Sequence, residues 1–451
     1  MIRLGWWWGF GLEEISGGSF GPDAATPDLP EGRRVVLGFN FIRQSSLAAS
    51  FPPSVDALDC AAAAAFPMSA MTATLYHRPR SRSPLEDEDL LSEILLRLPP
   101  QPSSLPRASA VCKRWRRLVS DSGFLRRYRQ HHRRSPPLLG FFRSDYPGIS
   151  YTPAMEAPDR VPASRFSLHL NDRYIILSCR HGLVLISHSS RNQVLVWDPV
   201  TGDQHRVAAP LGIDMTTTPM DGQVLRAAAD AQHFQVVLVN YKKKYARAIA
   251  AIYSSETGVW SNLIQTPVPR EAMEYESMPP VLVGDSLYIL LPGDSTSVIL
   301  EVDLDSQSLA VSGLPMDTFA KDQFLMVMRA EGGGLGVLSL TGFAAELWKR
   351  NTNCDGVASW VLGRTFELDK LLPLNSENIR HTAMVAYAEE NNVAFLRTFD
   401  SIFMVQLESL QFSKLPENSN CDICYPLESV YAAETSIGGG HDGADQNMLN
   451  Q

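Results

Sequence analysis

The chain is poor in most of the features that announce chemistry. Six cysteines scattered through 451 residues are too few for the disulfide framework that holds small secreted domains together. No Asn-x-Ser/Thr sequon occurs, so nothing marks a glycosylated, secretory protein. No apolar run reaches the roughly 18 residues that a membrane-spanning helix needs. The opening "MIRLGWWWGFGLEE" has a glycine-broken apolar stretch and no small-residue cleavage site close behind it, which makes a poor signal peptide. The expectation is an intracellular protein, cytoplasmic, nuclear or both. Positive charge is also in deficit: 40 Lys+Arg stand against 49 Asp+Glu, a net charge of −9. That excludes a protein that coats nucleic acid by bulk charge.

Reactive constellations are missing as well. The ten histidines include one adjacent pair, His131-His132, and no HExxH spacing. The stretch "EGGGLG" from Glu331 to Gly336 lacks the Gly-Lys-Ser/Thr that would complete a phosphate loop, and is expected to be a turn between strands. Cys421 and Cys424 form a lone CxxC without the second pair that a structural zinc site needs, and are expected to be ordinary thiols. Cys112 has Lys113 beside it but no histidine or acid to complete a catalytic set, so it is expected to pack. Asp198, Asp203, Asp303 and Asp305 fall in turns, where aspartate supports the backbone unaided. The expectation is a protein that is not an enzyme, with no catalytic residue, cofactor or metal.

What is present is organisation. Residues 1–83 mix Gly, Pro, Ser and an alanine run without a sustained period and are expected to be poorly ordered, with Met71 a usable start; residues 435–451 have the same texture. Between them, residues 107–134 reverse the overall charge, with ten Lys/Arg against one acid, Asp121. Three helices are predicted from Glu86 onward, and the basic segment lies in the second and third. In the first, Glu86 to Leu98, four acids crowd the N-terminus, where the helix dipole favours them. Leu90, Leu91, Ile94, Leu95 and Leu98 share one face, and Pro99 and Pro100 stop the helix. A second helix is expected from Leu105 to Val119, gathering Ala108, Val111, Trp115, Leu118 and Val119. A third, capped by Asp121 or Ser122, carries Phe124, Leu125 and Tyr128. So short a unit is marginal alone, and its leucine face is a candidate for burial against a partner. The basic run fits a solvated face, a nucleic-acid or nuclear-import patch, or a match to an acidic protein.

From Leu138 the pattern changes to short apolar runs with turn signals between them. Five similar units start at His181, His233, Gly284, Gly332 and Asn391. Each is an apolar strand, a gap, then two strands joined by a short turn such as Pro199 to Gly202 or Ser255 to Gly258. Trp197, Tyr253, Val302, Leu347 and Val405 occupy corresponding points. A repeat of about 50 residues built of short strands predicts propeller blades. "LLGFF" (Leu138 to Phe142) and "RYIILSC" (Arg173 to Cys179) are expected to supply a further blade.

The segment "PLEDEDLLSEILLRLPPQPSSLPRASAVCKRWRRLVSDSGFLRRYRQHH" resembles the F-box, through "LLSEILLRLP" and then "VCKRWRRLVSD". Followed by "LLGFF" and a degenerate β-repeat region, it is similar to the large plant family of F-box proteins with F-box-associated, kelch-like propellers. The implied fold is α+β and multidomain: a small three-helix F-box over 84–134, then an all-β propeller-like domain over 138–434. Glu86 stands where the family usually has proline, which implies weakened docking.

The resemblance implies a substrate-recognition subunit of a Skp–cullin–F-box ubiquitin ligase. It would dock to a Skp-type adaptor, acidic in character, and through it to a cullin. It would present a protein substrate for ubiquitination and degradation. The positions that match the adaptor-binding motif are Leu85, Leu90, Leu91, Ile94, Leu95, Leu98, Pro99, Val111, Cys112, Trp115 and Leu118, some of which must also serve the unit's own core. The substrate-binding residues are not identified by the resemblance. The alternative is a nuclear scaffold or nucleic-acid-binding protein that uses the basic segment 107–134.

Overall fold

The computed structural model describes residues 85, 87–145, 148–168, 170, 174–215, 220–226, 233–273, 279–293, 297–314, 324–342, 344–352, 358–373, 382–399, 401–415 and 423–432. The expectations for residues 1–83, for Met71, Glu86 and Cys421, and for the 435–451 tail lie outside them. The described residues belong to one compact unit, Arg78–Gln451.

Four helices open it: α1 (Glu88–Leu96), α2 (Ser104–Ser109), α3 (Lys113–Val119) and α4 (Ser122–His131). Asp87 caps α1, its carboxylate accepting from the backbone N–H groups of Asp89 and Leu90, so the acidic start of the segment works as a cap. Asp121 caps α4 by accepting from the Phe124 N–H at 2.8 Å. The long second helix predicted from Leu105 to Val119 is two helices. Cys112 is extended (φ −161°, ψ 168°) and ends the first run. An unbroken helix would set residue 112 on the stripe of Leu105, Ala108, Trp115 and Val119. The break turns Val111 and Cys112 outward while Leu105 and Ala108 stay buried.

The strands follow in chain order. β1 (Leu138–Asp145) and β2 (Gly148–Pro153) begin blade one. Blade two is β3 (Ile175–Arg180), β4 (Leu183–His188), β5 (Gln193–Trp197) and β6 (Gln204–Ala208). Blade three is β7 (Met220–Arg226), β8 (Phe234–Lys242), β9 (Arg247–Ser254), β10 (Val259–Trp260) and β11 (Ile264–Pro267). Blade four is β12 (Val281–Val283), β13 (Ser286–Leu291), β14 (Val298–Asp303) and β15 (Ser308–Gly313). Blade five is β16 (Phe324–Arg329), β17 (Leu335–Thr341), β18 (Ala344–Thr352) and β19 (Ala358–Glu367). Blade six is β20 (Ala383–Ala388), β21 (Val393–Arg397), β22 (Ile402–Gln406) and β23 (Phe412–Lys414). Finally β24 (Tyr425–Glu428) pairs antiparallel with β1 and completes blade one. The last strand thus closes the ring on the first.

Each predicted repeat unit begins at the second strand of its blade, and Trp197, Tyr253, Val302, Leu347 and Val405 all fall on third strands. "LLGFF" and "RYIILSC" do not share a blade: β1 pairs with β2 and β24, and β3 pairs with β4. They look like partners because both are apolar, and closure by a strand from the far end of the chain has no local signal. Apolar layers fill the spaces between neighbouring blades, for example Val237, Val239, Ala248 and Ala250 of blade three against Leu287, Ile289, Leu300 and Val302 of blade four. A middle strand is therefore covered on both faces. All six residues of β4 are buried, which is why these strands read as unbroken apolar runs and not as an alternation. Fourth strands lie at the rim, and β23 is exposed throughout.

The glycine of "LLGFF" is a steric requirement. A Cβ on Gly140 would lie 2.2 Å from the backbone carbonyl oxygen of Thr152 on β2. Gly140→Ala is expected to destabilise blade one by about 1–3 kcal/mol, the usual penalty of overpacking. Denaturant midpoints compared with those of the exposed-turn variant Gly258→Asn would check it; equal midpoints would remove the steric argument.

Candidate functional site: the helical unit and the propeller end it covers

The helical unit divides its leucines between two jobs. Leu91 and Leu95 are both 0% exposed and form its core with Leu96, Leu105, Ala108, Val119, Phe124, Leu125 and Tyr128. Leu90 and Ile94, one turn apart on α1, are 50% and 41% exposed. Leu85 is 45% and Val111 62% exposed, and Cys112 and Pro99 are exposed too. Arg114 holds Leu85 to α3 by donating from Nη1 to its carbonyl at 2.9 Å. Leu98, Trp115 and Leu118 are half-buried against the core. Of the eleven motif positions, then, Leu91 and Leu95 face inward and nine reach the surface wholly or in part.

Two core residues come from the other end of the chain. Val430 (5% exposed) and Ala432 (3% exposed) leave β24 and enter the helical core. The Tyr128 hydroxyl donates to the carbonyls of Leu98 and Pro99 at 3.2 and 2.7 Å, closing the end of α1; burial pushes this phenol up to about 12. The Ser103 N–H donates to Asp159 of the propeller at 3.0 Å.

The propeller end beneath the helices carries a network of charged residues. Strands β24, β3, β7, β12, β16 and β20 are the inner edge strands of their blades, and β24 adjoins both β3 and β20. Several of them end in charged residues. Arg180 donates from Nη1 to Glu389 at 2.6 Å, from Nε to Gln223 at 3.2 Å and from Nη2 to the Pro280 carbonyl at 3.0 Å. Arg180 and Glu389 side chains are each 9% exposed. Arg329 adds ion pairs to Glu389 and Glu390, both at 3.3 Å. One arginine and one glutamate thereby tie blades two, three, four, five and six around the axis. Arg226 pairs with Asp198 at 2.5 Å, and its backbone N–H donates to His181 Nδ1 at 3.1 Å. Burial, reinforced by Arg180 and Arg133, lowers His181 to about 3.

Glu428 is the acid at the closing strand. Asn391 donates to its Oε1 from the backbone at 2.7 Å and from Nδ2 at 2.8 Å, and also donates to the Pro136 carbonyl at 3.0 Å. Burial nevertheless raises this carboxyl to about 7. A carboxyl with its folded pKa above the unfolded value of about 4.5 loses stability as pH rises through that interval. Glu428→Gln, which keeps an acceptor without charge, is therefore expected to exceed wild type in stability at pH 8 and to match it near pH 4.5. Urea midpoints at the two pH values measure this; a difference that does not change with pH would contradict it.

A weak sign of this network is visible along the chain: charged residues stand just before several repeat units, as with Arg180, Glu389 and Glu390. The turns behave as expected. Asp198 Oδ1 accepts from the Val200 and Thr201 N–H groups, Asp303 accepts from Ser306, and Gly332 and Gly333 take positive φ between β16 and β17. Cys424 departs from the thiol expectation, being 1% exposed and disulfide-bonded. Among the described residues no cluster of His, Cys, Asp and Glu could hold a metal, and no helix is long and apolar enough to cross a membrane.

Comparison with known proteins places the architecture. Residues 175–430, more than half of the chain, match the family model described as F-box protein AT5G49610-like, beta-propeller. The chain belongs to this family of F-box propeller proteins. Its helical unit matches the F-box domain model over residues 87–127, which contains every motif position except Leu85. The F-box/kelch-repeat protein At3g61590 of Arabidopsis thaliana is 26% identical over 53% of this chain and 60% of its own length. The chain spans 45–60% of the length of the curated relatives it matches. Among solved structures, a Lactobacillus plantarum protein aligns at 13% identity and a TM-score of 0.39, covering 62% of this chain and 81% of that one.

In this F-box protein the basic segment is not a single outward stripe. Arg126, Arg129 and Arg133 line a cleft of about 770 Å³ between α4 and the propeller. The match of the arginines to an acidic adaptor, expected from the sequence, can therefore involve only part of the run.

Proposed function

We propose that the chain is the substrate-recognition subunit of a Skp–cullin–F-box ubiquitin ligase and is not itself catalytic. One observation carries the docking half of this reading: Leu85, Leu90, Ile94 and Val111 stay exposed although the core beneath them is already filled, with Val430 and Ala432 from the C-terminal segment. Such residues on a small helical unit supply the apolar anchors of an interface. Leu98, Pro99, Cys112, Trp115 and Leu118 would border them, and Leu91 and Leu95 would support them from inside. A cullin would be reached through the adaptor. The mechanism is proximity: a substrate held on the propeller meets a ubiquitin-loaded conjugating enzyme at raised effective concentration. The propeller end away from the helices, where Ile175 and Phe399 are 55% and 71% exposed, is the end left open for substrate. This assembly would work in the cytoplasm, the nucleus or both.

Co-purification with a Skp-type adaptor tests the reading. Leu90→Asp with Ile94→Asp is expected to weaken binding by about 30-fold or more, as for loss of an interface anchor of about 2 kcal/mol, with unfolding unchanged. Leu95→Asp is expected to unfold the helical unit instead. Wild-type protein that binds no Skp-type adaptor would return the basic segment 107–134, and a nuclear scaffold or nucleic-acid role, to the front.

A further inference from the structure

The roof of the cleft between α4 and the propeller carries arginines that neither adaptor docking nor the axial network uses. Its roof is one face of α4 and the turn after it, where Arg126, Arg129 and Arg133 recur at i, i+3 and i+7. The opposite face, Phe124, Leu125 and Tyr128, is buried in the helical core. Helical periodicity thus aims three guanidinium groups at one space. The floor includes Leu183, Val196 and Phe234, side chains of blades two and three.

Two cations of the roof, Arg126 and Arg129, are poorly matched by the acids around the cleft. Asp198 is committed to Arg226, Glu390 to Arg329 and Glu428 to Asn391, and Asp203 accepts from the Thr201 hydroxyl. Arg126 and Arg129 have no ion-pair partner among the described residues. The Nε of Arg129 is buried without any hydrogen-bond partner, an arrangement that ordinarily costs stability. Arg133 donates to the Arg226 carbonyl at 3.2 Å, and burial together with the nearby Arg226 charge lowers its pKa.

We infer that this cleft binds a small organic anion, an apolar or aromatic body bearing a phosphate or carboxylate group. The head would sit against Arg129, Arg126 and Arg133, where guanidinium forks match either group. The body would lie over Phe234, Val196 and Leu183. The volume suits one such molecule, since small-molecule sites occupy about 300–1,000 Å³. A molecule held there touches the F-box and the propeller together and fastens one to the other. The inference does not depend on adaptor binding.

Titration calorimetry on the full chain tests it with 1-naphthyl phosphate and 2-naphthoate as probes. At least one is expected to bind with one-to-one stoichiometry and to raise the thermal midpoint. Arg126→Ala with Arg129→Ala is expected to weaken that probe roughly tenfold or more, the loss typical of charge-assisted hydrogen bonds. Val200→Trp, which fills the cleft without altering charge, is expected to abolish binding even if the arginine variant proves unstable. Arg116→Ala with Arg117→Ala, on α3 and outside the cleft, is expected to leave affinity unchanged. Failure of both probes to bind wild type would overturn the inference. So would binding insensitive to Val200→Trp, or 2-naphthol binding as tightly as 1-naphthyl phosphate.

Discussion

Glu389→Ala is expected to cost this protein about 3–5 kcal/mol, the usual consequence of removing one partner of a buried ion pair. Arg180 would keep its hydrogen bonds to Gln223 and the Pro280 carbonyl, but its charge would remain 9% exposed with no acid against it. Arg329 would lose one of its two carboxylates. A loss of this size lowers the thermal midpoint by several degrees even in a large domain. The comparison that isolates the charge is Arg180→Met with Glu389→Met, expected to recover part of the loss because apolar replacement of a buried pair is often neutral. Calorimetric midpoints decide it. If Glu389→Ala melts with wild type, the pair does not fasten the blades around the axis.

The second large effect concerns the junction between the two ends of the chain. Val430→Asp is expected to disorder the F-box while sparing most of the propeller. The residue is 5% exposed within the helical core, and a carboxylate there either stays buried without a partner or protonates, each at a cost of several kcal/mol. The remaining core is too small to absorb it: a unit of about 50 residues has little stability in reserve. Hydrogen exchange resolved by segment measures the outcome. Amides of α1 and α4 should lose protection, whereas those of β13 and β14, between blades three and five, should keep theirs. Full protection of α1 in the variant would show that the C-terminal residues are not needed by the helical core. An F-box excised at its sequence boundaries should behave like the variant, since it too lacks Val430 and Ala432.

Local chemistry made much of this protein legible in its sequence. The acid-capped leucine helix, the Asp121 cap and the repeat of third strands at Trp197, Tyr253, Val302, Leu347 and Val405 follow from periodicity and capping, which act within a few residues. The F-box motif is readable for the same reason: its signatures are contiguous. Where neighbours in space are far apart in the chain, the pattern carried no information. The division of one apolar stripe into buried Leu91 and Leu95 and exposed Leu90 and Ile94 depends on where α4 lies. The break at Cys112 depends on what α2 and α3 pack against. Val430 and Ala432 lie some 300 residues from the helices they complete. Arg180 and Glu389, which meet at the axis, are separated by 209 positions. A leucine-faced helical unit followed by a run of β blades follows from the residues alone, because propensity and burial pattern are local. How the ring closes, what completes the F-box core and where the arginines of α4 point are set by contacts that exist only after the two ends of the chain have met.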